Sequence, residues 1–194
     1  MTPMERYRRD CSAFFARLGT EGPQPLVFGD GRWDRPVLML IGEAPGEQEA
    51  LQGRPFAGRA GKNLDAFLEL AGLSREALYV TNAVKFRPVR TSQAGRTVNR
   101  PPTQEEVRIF APWLLREIAL VDPACVVTLG NVPLRAVTGE RLTIGDVHGG
   151  LLSAGGRRLY PMYHPASVLY NPSLRDVYAA DLARLALWLA EQKI

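Results

Sequence analysis

Three short apolar runs, Val37 to Ile41, Leu78 to Val84 and Cys125 to Leu129, alternate along the chain with longer stretches whose apolar residues recur every three or four positions. Continuous apolar runs between amphipathic helices predict strands buried on both faces, hence βαβ units and a parallel sheet. Leu159 to Tyr163 predicts a fourth strand. Between the first two runs, Leu64, Phe67, Leu68 and Ala71 share one helical face, and Gly72 stands where a glycine closes a helix. Ahead of the third run, Thr103 and Glu106 have capping-box spacing, and Val107, Phe110, Leu114, Ile118 and Val121 continue one face; Pro112 is expected to bend or interrupt that helix. Two further helices are expected, one around Tyr7, Phe14, Phe15 and Leu18 and one from about Leu174 that buries Val177, Leu182, Leu185 and Leu189. Glycine pairs at 149–150 and 155–156 suit a hairpin near the end of the sheet. The expected fold class is α/β, a single-domain three-layer α/β/α sandwich over residues 1–194 with a central four-stranded, mainly parallel sheet.

Composition adds limits. The 194 residues, 46% of them apolar, suffice for one well-buried core. No apolar run approaches the roughly 20 residues of a spanning helix. The three arginines among the first ten residues lack the apolar stretch of a secretory signal. A cytoplasmic location and no membrane partner are therefore expected. Cys11 and Cys125 form no C-x-x-C pair, so spacing offers neither a metal site nor a redox motif. The net charge of +4 fits many proteins that never meet nucleic acid. Its distribution says more: Lys85, Arg87, Arg90, Arg96 and Arg100 lie in a segment to Gln104 that holds no Asp or Glu. Such a run is either a solvated loop or a phosphate-binding segment, and its neighbours decide.

In an open parallel sheet the ligand site lies beyond the strand C-termini. Here those segments read GEAPGEQE at 42–49 with GRPFAGRAG at 53–61, YVTNAVKFRP at 79–88 with NRPPTQEE at 99–106, Leu129-Gly130-Asn131, and YHPASVLYNP at 163–172. In this order they resemble the uracil-DNA glycosylase superfamily, in particular its thermostable, iron-sulfur-containing bacterial and archaeal branch, known as family 4. The resemblance covers nearly the whole chain.

It implies a DNA repair enzyme that flips uracil, or another deaminated base, out of DNA and hydrolyses its N-glycosidic bond, leaving an abasic site. Bond breaking develops positive charge on the sugar and negative charge on the base, so a carboxylate is needed beside one and a donor beside the other. By resemblance, Glu43 stabilises the sugar cation and orients water. Glu49 matches a second acid, and reads equally well as a helix-start carboxylate. His164 would donate to the uracil oxygen, which a neutral imidazole can do. Phe56 would stack on the base, Asn82 bond its edge and Ala44 contact it; ordinary core packing and a strand-end turn are the plain alternatives for Phe56 and Asn82. Lys85, Arg87 and Ser167, with backbone amides near 58–61 and 130–131, would hold phosphates. Leu169 or Tyr170 would fill the gap left in the duplex, unless Leu169 is simply core. His148 has no motif match and is read as structural or phosphate-facing.

The branch holds a four-iron cluster with four cysteines, at positions that read Cys11, Phe14, Phe86 and Phe110 here. One thiolate cannot hold it, so no cofactor is expected; Phe14, Phe86 and Phe110 are expected to fill the space and dock the N-terminal helix. No His occurs between Lys85 and Arg108, which argues against the covalent trapping of a related branch, and no motif places an imine-forming lysine. A monomer is expected. The alternative is a non-catalytic DNA-binding protein of the same fold that recognises damaged or structured DNA. An unrelated nucleotide-binding protein is disfavoured because neither G-x-x-x-x-G-K-[ST] nor G-x-G-x-x-G follows a strand.

Overall fold

The alternation of residues along one strand sets the layering. In a computed structural model of the chain, which describes residues 1–18 and 25–192, Leu38 and Leu40 enter one apolar core while Met39 and Ile41 enter another on the opposite face of the same strand. The strands, in chain order, are β1 (Asp30–Gly31), β2 (Leu38–Gly42), β3 (Tyr79–Asn82), β4 (Val89–Thr91), β5 (Thr97–Asn99), β6 (Cys125–Leu129), β7 (Leu152–Ala154) and β8 (Arg157–Met162). Six of them form one sheet in the order β1-β3-β2-β6-β8-β7. The four expected strands are its parallel centre. Two short antiparallel edge strands, β1 and β7, enlarge the expected four-stranded sheet to six. β4 and β5 pair separately as a hairpin.

The helices are α1 (Pro3–Arg17), α2 (Glu47–Gln52), α3 (Arg59–Leu70), α4 (Gln104–Val121), α5 (Asn131–Thr138), α6 (Ile144–Val147), α7 (Ser167–Tyr170) and α8 (Leu174–Glu191). Leu64, Phe67 and Leu68 of α3 and Tyr178, Leu182, Leu185 and Leu189 of α8 cover one face. Met4 and Tyr7 of α1, Leu114, Ile118 and Val121 of α4 and Leu134 of α5 cover the other. The result is the expected three-layer sandwich, and every residue of β2, β3 and β6 is buried. Among the described residues no helix is long and apolar enough to cross a membrane.

Local chemistry fixes the ends. Thr103 and Glu106 complete a reciprocal capping box on α4. That helix runs uninterrupted through Pro112. After α3, Gly72 at φ 68° lets the Leu73 N–H reach back to the Leu68 carbonyl, closing the helix as a Schellman motif. Gly155 and Gly156, both at positive φ, make the two-residue turn between β7 and β8.

A third cluster joins Cys11, Phe15, Val84 and Phe110, with Phe86 and Ala44 packed against it. Here one expectation is corrected. Phe15, not Phe14, docks α1: its ring stacks on Phe110 with centroids 3.9 Å apart. The buried residues of α1, Met4, Tyr7, Cys11 and Phe15, form one stripe, and Phe14 falls at its border, 40% exposed against Phe15 and Trp113. The residues do not fit a four-iron cluster. Cys11 is the one thiol in this cluster and burial pushes it up to about 12, away from the thiolate that iron requires.

Candidate active site

The C-terminal ends of β2, β3, β6 and β8 converge on one side of the sheet. Gly42, last in β2, lies opposite Asn82, last in β3. A Cβ on Gly42 would come within 2.4 Å of Asn82 Oδ1 and 2.6 Å of the Phe56 ring, so the absent side chain is what lets ring and amide meet. Asn82 is buried, yet among the described residues its side-chain amide makes no hydrogen bond within the chain. The amide is thus free to pair with a ligand.

Phe56 sits in a strained conformation, φ 52°. Two contacts hold it there. Arg75 donates from Nη2 to the Pro55 carbonyl at 2.6 Å and from Nη1 to the Phe56 carbonyl at 3.2 Å, while Asp65 fixes the guanidinium at 2.9 Å. Gly61 in α3 admits the loop backbone, for a Cβ there would overlap the Phe56 carbonyl oxygen at 1.7 Å. The Phe56 ring lies 5.8 Å from the His164 ring, 25° from parallel.

His164 follows β8 by two residues. Its Nδ1 accepts the Ala166 N–H at 3.2 Å, so the neutral ring carries its proton on Nε2 and that nitrogen can donate. Desolvation holds its pKa down at about 4, with Glu49 opposing weakly. The imidazole is therefore neutral at physiological pH.

Glu43 follows β2 directly. Its carbonyl accepts the Val84 N–H at 3.0 Å and the Gly42 carbonyl accepts that of Ala83 at 2.8 Å, tying the loop to the end of β3. The carboxyl is half-buried, and burial raises its pKa above the ordinary glutamate value. Next to it, Ala44 rests on the aromatic cluster that occupies the cluster-cysteine positions.

Other expected site residues are relocated. Glu49 accepts the Gly46 N–H at 3.1 Å and the Gly58 N–H at 2.9 Å, one on each oxygen. It braces the loop against the start of α3. Lys85 was expected at a phosphate, but it is completely buried: Nζ lies 2.5 Å from Glu117 Oε2 and donates to Thr81 Oγ1 and the Asn82 carbonyl. A charge so enclosed cannot reach DNA. Arg87, its side chain 16% exposed, is engaged by Asn99 Oδ1 at 2.7 Å and Glu47 at 3.3 Å. Ser167 is half-buried at the start of α7, whereas Leu169 and Tyr170 project from it, 42% and 88% exposed, so Leu169 is not core. His148 is anchored at 2.9 Å to the buried Asp181, which also pairs with Arg184; this is the structural alternative.

Glu117, Tyr7, Tyr79 and Arg75 carried no site role in the sequence, and Gly61 carried only that of a backbone amide at a phosphate. Glu117 left one signal, a carboxylate three residues after Leu114 on the apolar face of α4. Arg75 left none.

The chain matches the model of the uracil DNA glycosylase superfamily over residues 28–186. It is 36% identical over 177 residues to a type-4 uracil-DNA glycosylase of Saccharolobus solfataricus, spanning 87% of this chain and 78% of that protein. A type-4 enzyme of Thermotoga maritima is 34% identical over 171 residues, 86% and 84% of the two chains. A type-5 uracil-DNA glycosylase of Pyrobaculum aerophilum is 34% identical over 165 residues, 72% and 69% of the chains. Among solved structures, Pedobacter heparinus SMUG2 aligns with a TM-score of 0.56 over 81% of this chain and 77% of that one, at 11% identity, a likeness of fold. With the family model matched over most of its length and type-4 relatives aligned across nearly all of it, the chain belongs to the uracil-DNA glycosylase superfamily, beside its type-4 members.

Proposed function

We propose that the protein is a monofunctional DNA glycosylase that hydrolyses the N-glycosidic bond of uracil in DNA and leaves an abasic site. One observation carries the reading: the His164 ring, its Nδ1 occupied by the Ala166 N–H, offers Nε2–H in the same pocket as the Phe56 ring and the unpartnered Asn82 amide. A uracil extruded from the stack lies against Phe56, and Asn82 answers the donor and acceptor on its edge. As the bond to the sugar lengthens, negative charge gathers on the base oxygen and His164 donates to it. The Glu43 carboxylate faces the cationic sugar and orients the water that adds to it. Leu169 or Tyr170 occupies the place that the base vacates, and Ser167 with the amides near Gly58 to Gly61 takes adjoining phosphates. Related deaminated bases that keep the same edge are further substrates. The protein acts as a cytoplasmic monomer, with uracil-containing DNA as its partner and no metal or cluster.

An excision assay on a uracil-containing oligonucleotide tests this. Wild type should yield alkali-labile abasic product, and Glu43→Gln should lose about 10²- to 10⁴-fold in rate, the usual contribution of a positioned acid–base group. Binding without abasic product from the wild type would replace the reading with that of a DNA-recognition protein.

A further inference from the structure

Asn82 ends β3 at a place where the sheet is incomplete. On one side β2 runs alongside to its last residue, Gly42 opposite Asn82. On the other, β1 pairs only with Tyr79 and Val80 and stops short of Asn82. The Asn82 carbonyl is answered instead by a side chain, the buried Lys85, whose Nζ donates to it at 2.7 Å. A lysine has three protons to donate, and the other two also have partners, Thr81 Oγ1 at 2.6 Å and Glu117 Oε2 at 2.5 Å. Glu117 is fixed in turn by Tyr79 at 2.8 Å and Thr81 at 3.2 Å. The Lys85 carbonyl accepts the Val27 N–H at 2.7 Å. The chain from Asn82 to Lys85 is thus held from both ends.

The Asn82 side chain has no such hold, since among the described residues its amide makes no hydrogen bond. Reading the edge of a base needs an orientation fixed to within about 10 to 20°. With no hydrogen-bond partner of its own, this amide takes its direction from its packing over Gly42 beside the Phe56 ring and from the backbone that carries it. That backbone is what Lys85 holds.

We propose that Lys85 is a positioning residue for Asn82: anchored by Glu117, it fixes the Asn82 peptide so that the unpartnered side-chain amide meets the edge of the extruded base already oriented. The inference rests on the glycosylase reading and adds to it the group that orders the base-reading side chain. Lys85 itself touches no substrate. Its effect falls on affinity, because a base that meets a fixed amide is spared the cost of ordering it.

Lys85→Met alone would strand Glu117, so the test variant is Lys85→Met/Glu117→Gln, which leaves no lone buried charge and keeps an acceptor for Tyr79. On a uracil oligonucleotide its KM should rise roughly 2- to 10-fold, the worth of one hydrogen bond, with kcat unchanged. Inhibition by free uracil should weaken by the same factor. In an Asn82→Ala background the same two substitutions should leave KM where Asn82→Ala puts it, because Lys85 acts through that side chain, whereas a general loosening of the fold would add to it. Wild-type KM in the double variant, a fall in kcat alone, or additive losses in the Asn82→Ala background would each overturn the assignment. A second measurement needs no turnover: in 15N relaxation of the DNA-free protein, the Asn82 side-chain amide should be rigid in the wild type and mobile on the ps–ns timescale in the double variant. A mobile wild-type amide would overturn the role of Lys85 even if the double variant failed to fold, and so would an amide equally rigid in both. An inert wild type whose Asn82 amide loosens in the variant would defeat the glycosylase reading and leave the positioning role standing.

Discussion

Lys85 Nζ lies 2.5 Å from Glu117 Oε2, and neither side chain is exposed to solvent. Thr81, Tyr79 and Tyr7 complete the shell around the carboxylate, and Lys85 also donates to the carbonyl of Asn82. One ion pair thus links α1, α4 and the end of the strand that presents Asn82. Removing one partner strands the other, at a cost of about 3 to 5 kcal/mol. Lys85→Met should show that loss in urea unfolding. Lys85→Met/Glu117→Gln, which removes both charges but leaves Tyr79 an acceptor, should recover most of it. Equal loss in both variants would refute the charge argument.

The same pair shows where sequence reading stops. Lys85 opens a basic segment and by charge belongs with phosphate contacts, but it follows β3 closely enough to stay inside, where Glu117 waits on an otherwise apolar helix face. Only the three-dimensional meeting of β3 and α4 distinguishes a buried pair from a surface patch. The parallel strands, the Thr103 capping box and the Gly72 closure were legible because each is a local pattern. β1 and the β4–β5 hairpin were not, since strands of two or three residues are too short to display alternation. The candidate site residues Glu43, Phe56, Asn82 and His164 were legible through motifs. Of what holds them, Gly42 and Gly61 stand at the ends of two of those motifs, where the pattern does not show what they make room for, and Arg75 lies outside them.

The aromatic cluster bears weight that Phe14 does not. Phe110 is buried and stacked on Phe15, so Phe110→Ala should cost about 3 to 5 kcal/mol. Phe14→Ala, at the border of the helix stripe, should change stability by only about 0.5 kcal/mol. Comparable losses in thermal unfolding would contradict the placement of α1. Purified protein should also be colourless, and a brown solution with visible absorption would contradict the misfit of an iron cluster.

Acid should act on activity and stability through different groups. In the proposed mechanism catalysis needs the Glu43 carboxylate, whose pKa burial raises, so kcat/KM should fall on the acid side at a pH above the ordinary glutamate value. The neutral His164 is favoured in the folded protein, where its pKa is about 4, against 6.5 in an exposed chain. Its contribution to stability is therefore full above about 6.5 and lost as pH falls towards 4. His164→Gln should flatten the melting temperature over that window. An acid limb of activity at the ordinary glutamate value, or a wild-type melting temperature flat from pH 7 to 4, would disprove the respective assignment.

Arg75 touches no reacting atom, and its importance follows from the backbone it holds. A non-glycine residue at positive φ is strained by roughly 1 to 3 kcal/mol and persists only where its surroundings enforce it. At Phe56 that enforcement is two hydrogen bonds from one guanidinium, with Gly61 leaving room behind. If the fork is removed in Arg75→Met, the loop can relax, and the ring leaves its position beside His164. Uracil stacking should weaken, raising KM for a uracil oligonucleotide and reducing inhibition by free uracil, while the acid limb set by Glu43 stays in place. Arg75→Lys should not rescue, because a single ammonium cannot span the Pro55 and Phe56 carbonyls. Full affinity in both variants would mean that Gly61 and local packing alone hold the ring, and Gly61→Ala would then be the substitution that abolishes uracil binding.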